Sequence, residues 1–312
     1  MSALLLNCAC LSIATQPAVA HNAGDARTNS VGMKLVYVPA GEFEMGLEVS
    51  PEKAVEQSGG APDWYANQLP HHRVRLTKPF WLGARHVTRG EFARFVREID
   101  YRTDAERQGN ARTWNGTKFT KTEEASWRRP GFEQTDEHPV VCVSHDDAVA
   151  FCRWLSAKES QRYRLPSEAE FEYAYRAGSQ GAFVWGDRAD DGQGWANCAD
   201  RTARETFAGW TTFDWSDGHL YTAPAGSFRA NAWGLHDMAG NAWQWTSDRF
   251  GAYSAGDVVD PTGPKTGTHR VLRGGSWYGA PCSVRASYRS KIDPDYRGSN
   301  VGFRVVADAA ND

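Results

Sequence analysis

The sequence predicts an α/β chain folded as a single irregular, loop-rich domain with little regular secondary structure. It carries 13 Trp and 30 Gly but only 4 Met among 312 residues, a balance that suits turns and aromatic packing better than long helices. Helical periodicity is confined to three short stretches before residue 180, and no internal repeat or low-complexity linker divides the chain. A chain of this length can bury a sizeable core. Its net charge of −3 supplies no basic footprint for nucleic acid or an anionic membrane.

Residues 4–13 are apolar but too short to span a bilayer, so no membrane span is expected. Ala18-Val19-Ala20 follows as a cleavage pattern, and residues 1–20 read as a signal peptide without the usual positive n-region. That places the mature chain in the periplasm or outside the cell, with residues 21–32 as an N-terminal extension and 33–307 as the domain. Met33 to Val38 and Glu42 to Gly46 read as strands around the turn Pro39-Ala40-Gly41. Residues 47–70 are polar and aperiodic and read as a surface loop. His71-His72 precedes the strand-like Arg73 to Leu76 and reads as solvated.

Three helices open on capping boxes at Thr88, Ser144 and Ser167. The first turns Phe92, Phe95, Val96 and Ile99 to one face, the second Ala148, Phe151, Cys152 and Leu155, and Gly178 ends the third. Cysteines 8 and 10 leave with the signal, and the other four show no Cys-x-x-Cys zinc spacing. Cys142 and Cys152 read as small buried hydrophobes rather than a disulfide. The nine histidines form no His-x-His or His-x-x-x-His pair at iron-ligand spacing, and His145 falls in the first turn of its helix.

Near the C-terminus, Arg273-Gly274-Gly275-Ser276-Trp277 brings paired glycines to a strand end, where positive φ or close backbone approach is wanted. Before it come Pro39 to Gly46, Phe92 to Val96, His138 to Cys152, Arg164-Leu165-Pro166-Ser167-Glu168-Ala169-Glu170-Phe171-Glu172-Tyr173 and Gly234 to Asp248. Gly302-Phe303-Arg304 follows it. In this order the motifs resemble the formylglycine-generating enzyme, or sulfatase-modifying factor, family. The resemblance covers about 33–307 and implies a fold related to C-type lectins.

It also implies two structural calcium sites. One maps to Asn197 and Asp217 with the carbonyls of Cys198 and His219. The other maps to Asp237 and Gln244 with the carbonyls of Gly240 and Ala242. There the family usually places Asn first and Glu last. These are the hard oxygen donors calcium wants.

The family's oxygen-dependent chemistry converts a sulfatase cysteine to formylglycine on copper held by two thiolates after the Gly-Gly-Ser motif. Here Gly279 stands three residues after Ser276, where the first thiol belongs, and Cys282 is the only thiol in the segment. Cys282, Ser276 and Trp243 are the candidate catalytic residues, with Cys282 a lone ligand for copper, which favours two soft sulfurs. His145 stands where the family commonly has Trp. Three functions compete: oxidation of a sulfatase cysteine, oxidation of another periplasmic peptide or small molecule, and a non-catalytic lectin-like binding module for peptide or protein partners. Fold alone does not separate them.

Overall fold

The structure is a computed structural model that describes residues 21–207 and 209–309, so the expected signal segment lies outside the described residues. Strands are short. A five-stranded antiparallel sheet runs in the order Ala26–Thr28, Lys34–Val38, Phe80–Gly83, Val306–Asp308 and Tyr163–Arg164. Both ends of the described chain therefore meet in one sheet. The segment expected as an N-terminal extension supplies its first strand. A four-stranded sheet orders Arg289–Ile292, Arg270–Arg273, Trp243–Arg249 and Val301–Gly302, the last pair parallel. Gly41–Met45 and His72–Leu76 pair in a third sheet, and Asn110–Trp114 with Phe119–Glu123 forms a hairpin.

The three expected helices are Arg89–Ile99, His145–Glu159 and Glu168–Arg176, each under its capping box. In the first, Glu91 N–H donates to the Thr88 hydroxyl while the Glu91 carboxylate accepts the Thr88 N–H, which satisfies two orphan donors. Phe92, Phe95 and Val96 are buried, but Ile99 is half exposed. Asp100 adopts the left-handed conformation and turns the chain, so Tyr101 packs on Phe95 at 4.7 Å in the place foreseen for Ile99. All four inward residues of the second helix are buried, and Cys142 and Cys152 are free buried thiols.

Residues 47–70 are not a loop. Ser50 caps a helix over Pro51–Ser58, two single-turn helices follow, and Leu47, Ala54 and Tyr65 form a small core with Cys282. The start signal, a serine cap with proline in the first turn, was present. The helix is too short and too sparsely apolar to show a period. His72 likewise is buried, with its ring 4.9 Å from that of Tyr253.

The centre is charged. Arg273 has no exposed surface and donates to the carbonyls of Ala286 (2.8 Å), Ser287 (2.9 Å) and Tyr288 (2.6 Å) and to the carboxylate of Glu172. Glu172 also accepts from Arg176 at 2.8 Å and from the Gly46 N–H at 3.0 Å. Glu168, one helical turn away, holds Arg289 at 2.7 Å through Nε. Both carboxylates of the cluster are paired with guanidinium groups, the condition under which burying charge is tolerable, while Nε of Arg273 has no partner. Arg273→Met would leave three buried carbonyls and part of a carboxylate unmatched. Urea denaturation of this variant is expected to show a loss of about 3–5 kcal/mol; a change within error would remove the cluster from the centre of the fold.

Candidate functional site

The strand Arg270–Arg273 ends at Gly274 and Gly275, with φ of 91° and 76°. A β-carbon on Gly275 would lie 2.5 Å from Val284 Cγ1, so both the conformation and the close approach demand glycine. The turn meets a second one: Gly240 N–H donates to Gly274 O at 2.7 Å and Trp277 N–H to Asn241 O at 3.0 Å. Ser276 is thereby buried, its Oγ accepting the Tyr278 N–H at 3.3 Å. Trp243 stays half-buried at the start of its strand, its ring 6.1 Å from that of Tyr288.

Cys282 sits in a single helical turn, Pro281–Val284, and is only 3% exposed, packed with Leu47, Ala54 and Tyr65. Burial pushes its thiol up to about 11, so at neutral pH it carries its proton and is a poor nucleophile and metal ligand. A β-carbon on Gly279 would lie 2.8 Å from Ser276 O and 2.9 Å from Ser283 Oγ. The turn has no room for a thiol at that position. The remaining free cysteines, 142, 152 and 198, are buried in other core clusters. The residues present do not fit a copper ion between two sulfurs.

The first calcium loop fits its ion better. Asp217 reaches back to accept the Cys198 N–H at 2.9 Å and the His219 N–H at 2.7 Å. Asn197 Oδ1 is buried with no hydrogen-bond partner, while its Nδ2 donates to Tyr221 O at 2.8 Å. Burial, then the neighbouring Asp200, push the Asp217 carboxyl up to about 7. An orphaned amide oxygen beside two carboxyl groups is a donor set that suits a hard cation. Among the described residues no three His, Cys, Asp or Glu side chains converge as a metal cluster, so an ion here would rest largely on amide and carbonyl oxygens. Asn197, Cys198, Asp217 and His219 would hold it, and it would cross-link two loops. The donors of the second loop, Asp237, Gly240, Ala242 and Gln244, are arranged differently, as set out below.

His145 is buried at the start of its helix, edge-on to Trp245 at 5.7 Å, with neither ring nitrogen hydrogen-bonded. Burial, then the nearby Arg270, push it down to about 4.

A domain defined by turns around a Gly-Gly-Ser motif is what comparison with known proteins returns. The sulfatase-modifying factor enzyme 1-like domain matches residues 21–309. The formylglycine-generating enzyme of Streptomyces coelicolor is 37% identical, over 95% of this chain and 96% of its own length. The inactive C-alpha-formylglycine-generating enzyme 2 of Bos taurus is 30% identical, over 90% of each chain. Among solved structures, PvdO from Pseudomonas aeruginosa superposes with a TM-score of 0.72 at 27% identity, covering 93% of this chain and all of that one. The chain belongs to the formylglycine-generating enzyme, or sulfatase-modifying factor, family.

Two predictions follow from this geometry. A ligand bound only by the folded state adds about 2.7 kcal/mol at a hundredfold excess over its Kd. Calcium should therefore raise the melting temperature of a chelator-treated sample, and Asp217→Asn should abolish that rise; identical melts with and without calcium would refute the first loop as a calcium site.

The second concerns pH. A histidine held below its ordinary value of 6.5 leaves the unfolded chain binding more protons, so its contribution to stability falls as pH drops from about 6.5 to 4. His145→Phe should lose less stability than the wild type across that interval in parallel pH-dependent melts.

Proposed function

We propose that this protein recognises a thiol-bearing peptide or protein partner, of the kind a sulfatase presents, without copper-dependent oxidation of the thiol. The observation that carries the reading is Gly279. The β-carbon that any cysteine at that position requires would crowd the Ser276 carbonyl, and the remaining thiol, Cys282, is buried and protonated. Half of a two-sulfur copper(I) site is missing and the other half is withdrawn from solvent.

What the segment does offer is aromatic surface. Tyr278, two residues beyond Ser276, is 37% exposed; Trp64, which packs on the Gly60 covering Cys282, is 52% exposed. Exposed rings flanking a rigid turn are the usual anchors of peptide recognition. Export of the mature chain would put this surface where secreted sulfatases fold.

Oxidation of a sulfatase cysteine is the second reading, favoured by 37% identity to an enzyme named for that product. One experiment separates them: the protein is mixed with a Cys-x-Pro-x-Arg peptide, copper(I) and oxygen, and binding is followed alongside the peptide's mass. The expected outcome is binding that Tyr278→Ala weakens about tenfold, the scale of losing one aromatic anchor, with the cysteine unmodified. Efficient conversion to formylglycine, with tight one-to-one copper binding that depends on Cys282, would establish the oxidase instead.

A further inference from the structure

We infer that the second calcium loop of this family is closed in this chain by Arg304, a cation the protein supplies itself, and binds no calcium.

Gln244 Oε1 accepts from Nε of Arg304, while Gln244 Nε2 donates to Asp237 O at 3.2 Å. The Ala242 carbonyl accepts from His86 Nε2 at 2.8 Å; since a carbonyl can only accept, Nε2 carries the proton. Arg304 is wholly buried, and its guanidinium also donates to Gly83 O at 3.0 Å, His236 O at 2.8 Å and Asp237 O at 3.2 Å. The side-chain oxygen of Gln244 and the carbonyl of Ala242, two of the four expected ligands, are thus already engaged by protein donors.

Charge points the same way. Asp237 is the carboxylate of this loop, buried, with Oδ2 accepting the Gly226 N–H at 2.7 Å and lying 3.9 Å from His86 Nδ1. The guanidinium of Arg304 lies beside the same loop, bonded to the backbone carbonyl of Asp237 rather than to its carboxylate. A dication added beside Arg304 would leave surplus positive charge in the interior, where its desolvation has nothing to offset it. With Gln at 244 in place of the family's Glu, the carboxylate that could have faced both an ion and Arg304 is absent. Asp237 Oδ1 and His86 Nδ1 remain without partners.

The first loop is the contrast. Among the described residues, no arginine or lysine bonds Asp217 or Asp200. There no basic side chain supplies the positive charge that Arg304 brings to the second loop.

The inference uses the calcium reading of the first loop as its control, and ion counting separates the two. The full chain is stripped with chelator, reloaded with calcium, and its bound ions are counted by native mass spectrometry and elemental analysis. The expected count is one ion per chain, lost in Asp217→Asn and kept in Asp237→Asn. Gln244→Ala serves as a second variant, also expected to keep the ion, should Asp237→Asn fail to fold. Two ions in the wild type would overturn the inference, as would one ion lost on changing Asp237 or Gln244 but kept in Asp217→Asn. A count of zero would sustain the inference for the second loop and refute calcium at the first.

Discussion

Everything in this fold that could act on a partner hangs on the buried guanidinium of Arg273. It is the last residue of its strand, one position before the paired glycines, and three of its hydrogen bonds end on the carbonyls of Ala286, Ser287 and Tyr288. Those bonds fold residues 274–288 into a loop whose two ends cannot separate without baring a buried charge. The carboxylate of Glu172 then pins the loop to the helix Glu168–Arg176, and Tyr175 adds a bond from its hydroxyl to Val284 O at 2.6 Å. In a domain of short strands such ties replace the long hydrogen-bonded ladders that position sites in larger sheets. Their strength comes from low local dielectric and from pairing each buried carboxylate with a guanidinium.

The same constraint explains the character of the segment it holds. Gly274 and Gly275 turn tightly because Val284 is drawn against them, and the tightness leaves no room beyond the Gly279 α-carbon. Cys282, on the far limb of the loop, is pressed into the small core beneath Trp64 and Tyr65. A loop held this closely can present Tyr278 rigidly to a partner, but it cannot spread to admit a second sulfur. Family membership therefore fixes the architecture of the site while leaving its chemistry to a few local residues.

Charge exchange is a recurring device in the molecule. Arg273, Arg289 and Arg176 neutralise Glu168 and Glu172 in the centre, and Arg304 places its charge beside the second loop, bonding the backbone carbonyl of Asp237. Around the buried Asp200 and the half-buried Asp217, no basic side chain is bonded to either carboxyl group among the described residues. The asymmetry between the two loops follows from which side chains surround them.

By itself the sequence determined the fold family, the three capped helices, the buried state of Cys142 and Cys152, and the need for glycine at 274 and 275. Each of these is written locally, in a cap, a period or a motif whose partners lie within a few residues. Tertiary structure alone decided the rest. The helix Pro51–Ser58 has a serine–proline start but too few apolar positions to show a period, and it forms because Ala54 packs against residues far along the chain. Ile99 followed the helical pattern yet faces outward, since the left-handed turn at Asp100 hands its place to Tyr101. Whether Cys282 was open or buried, whether Gly279 could become a ligand, and where the lone pairs of Gln244 and Ala242 point all depend on contacts between residues distant in sequence or on the close packing of one turn. Composition and spacing carry no record of a hydrogen bond's far end, and that far end is what gave each of these residues its role.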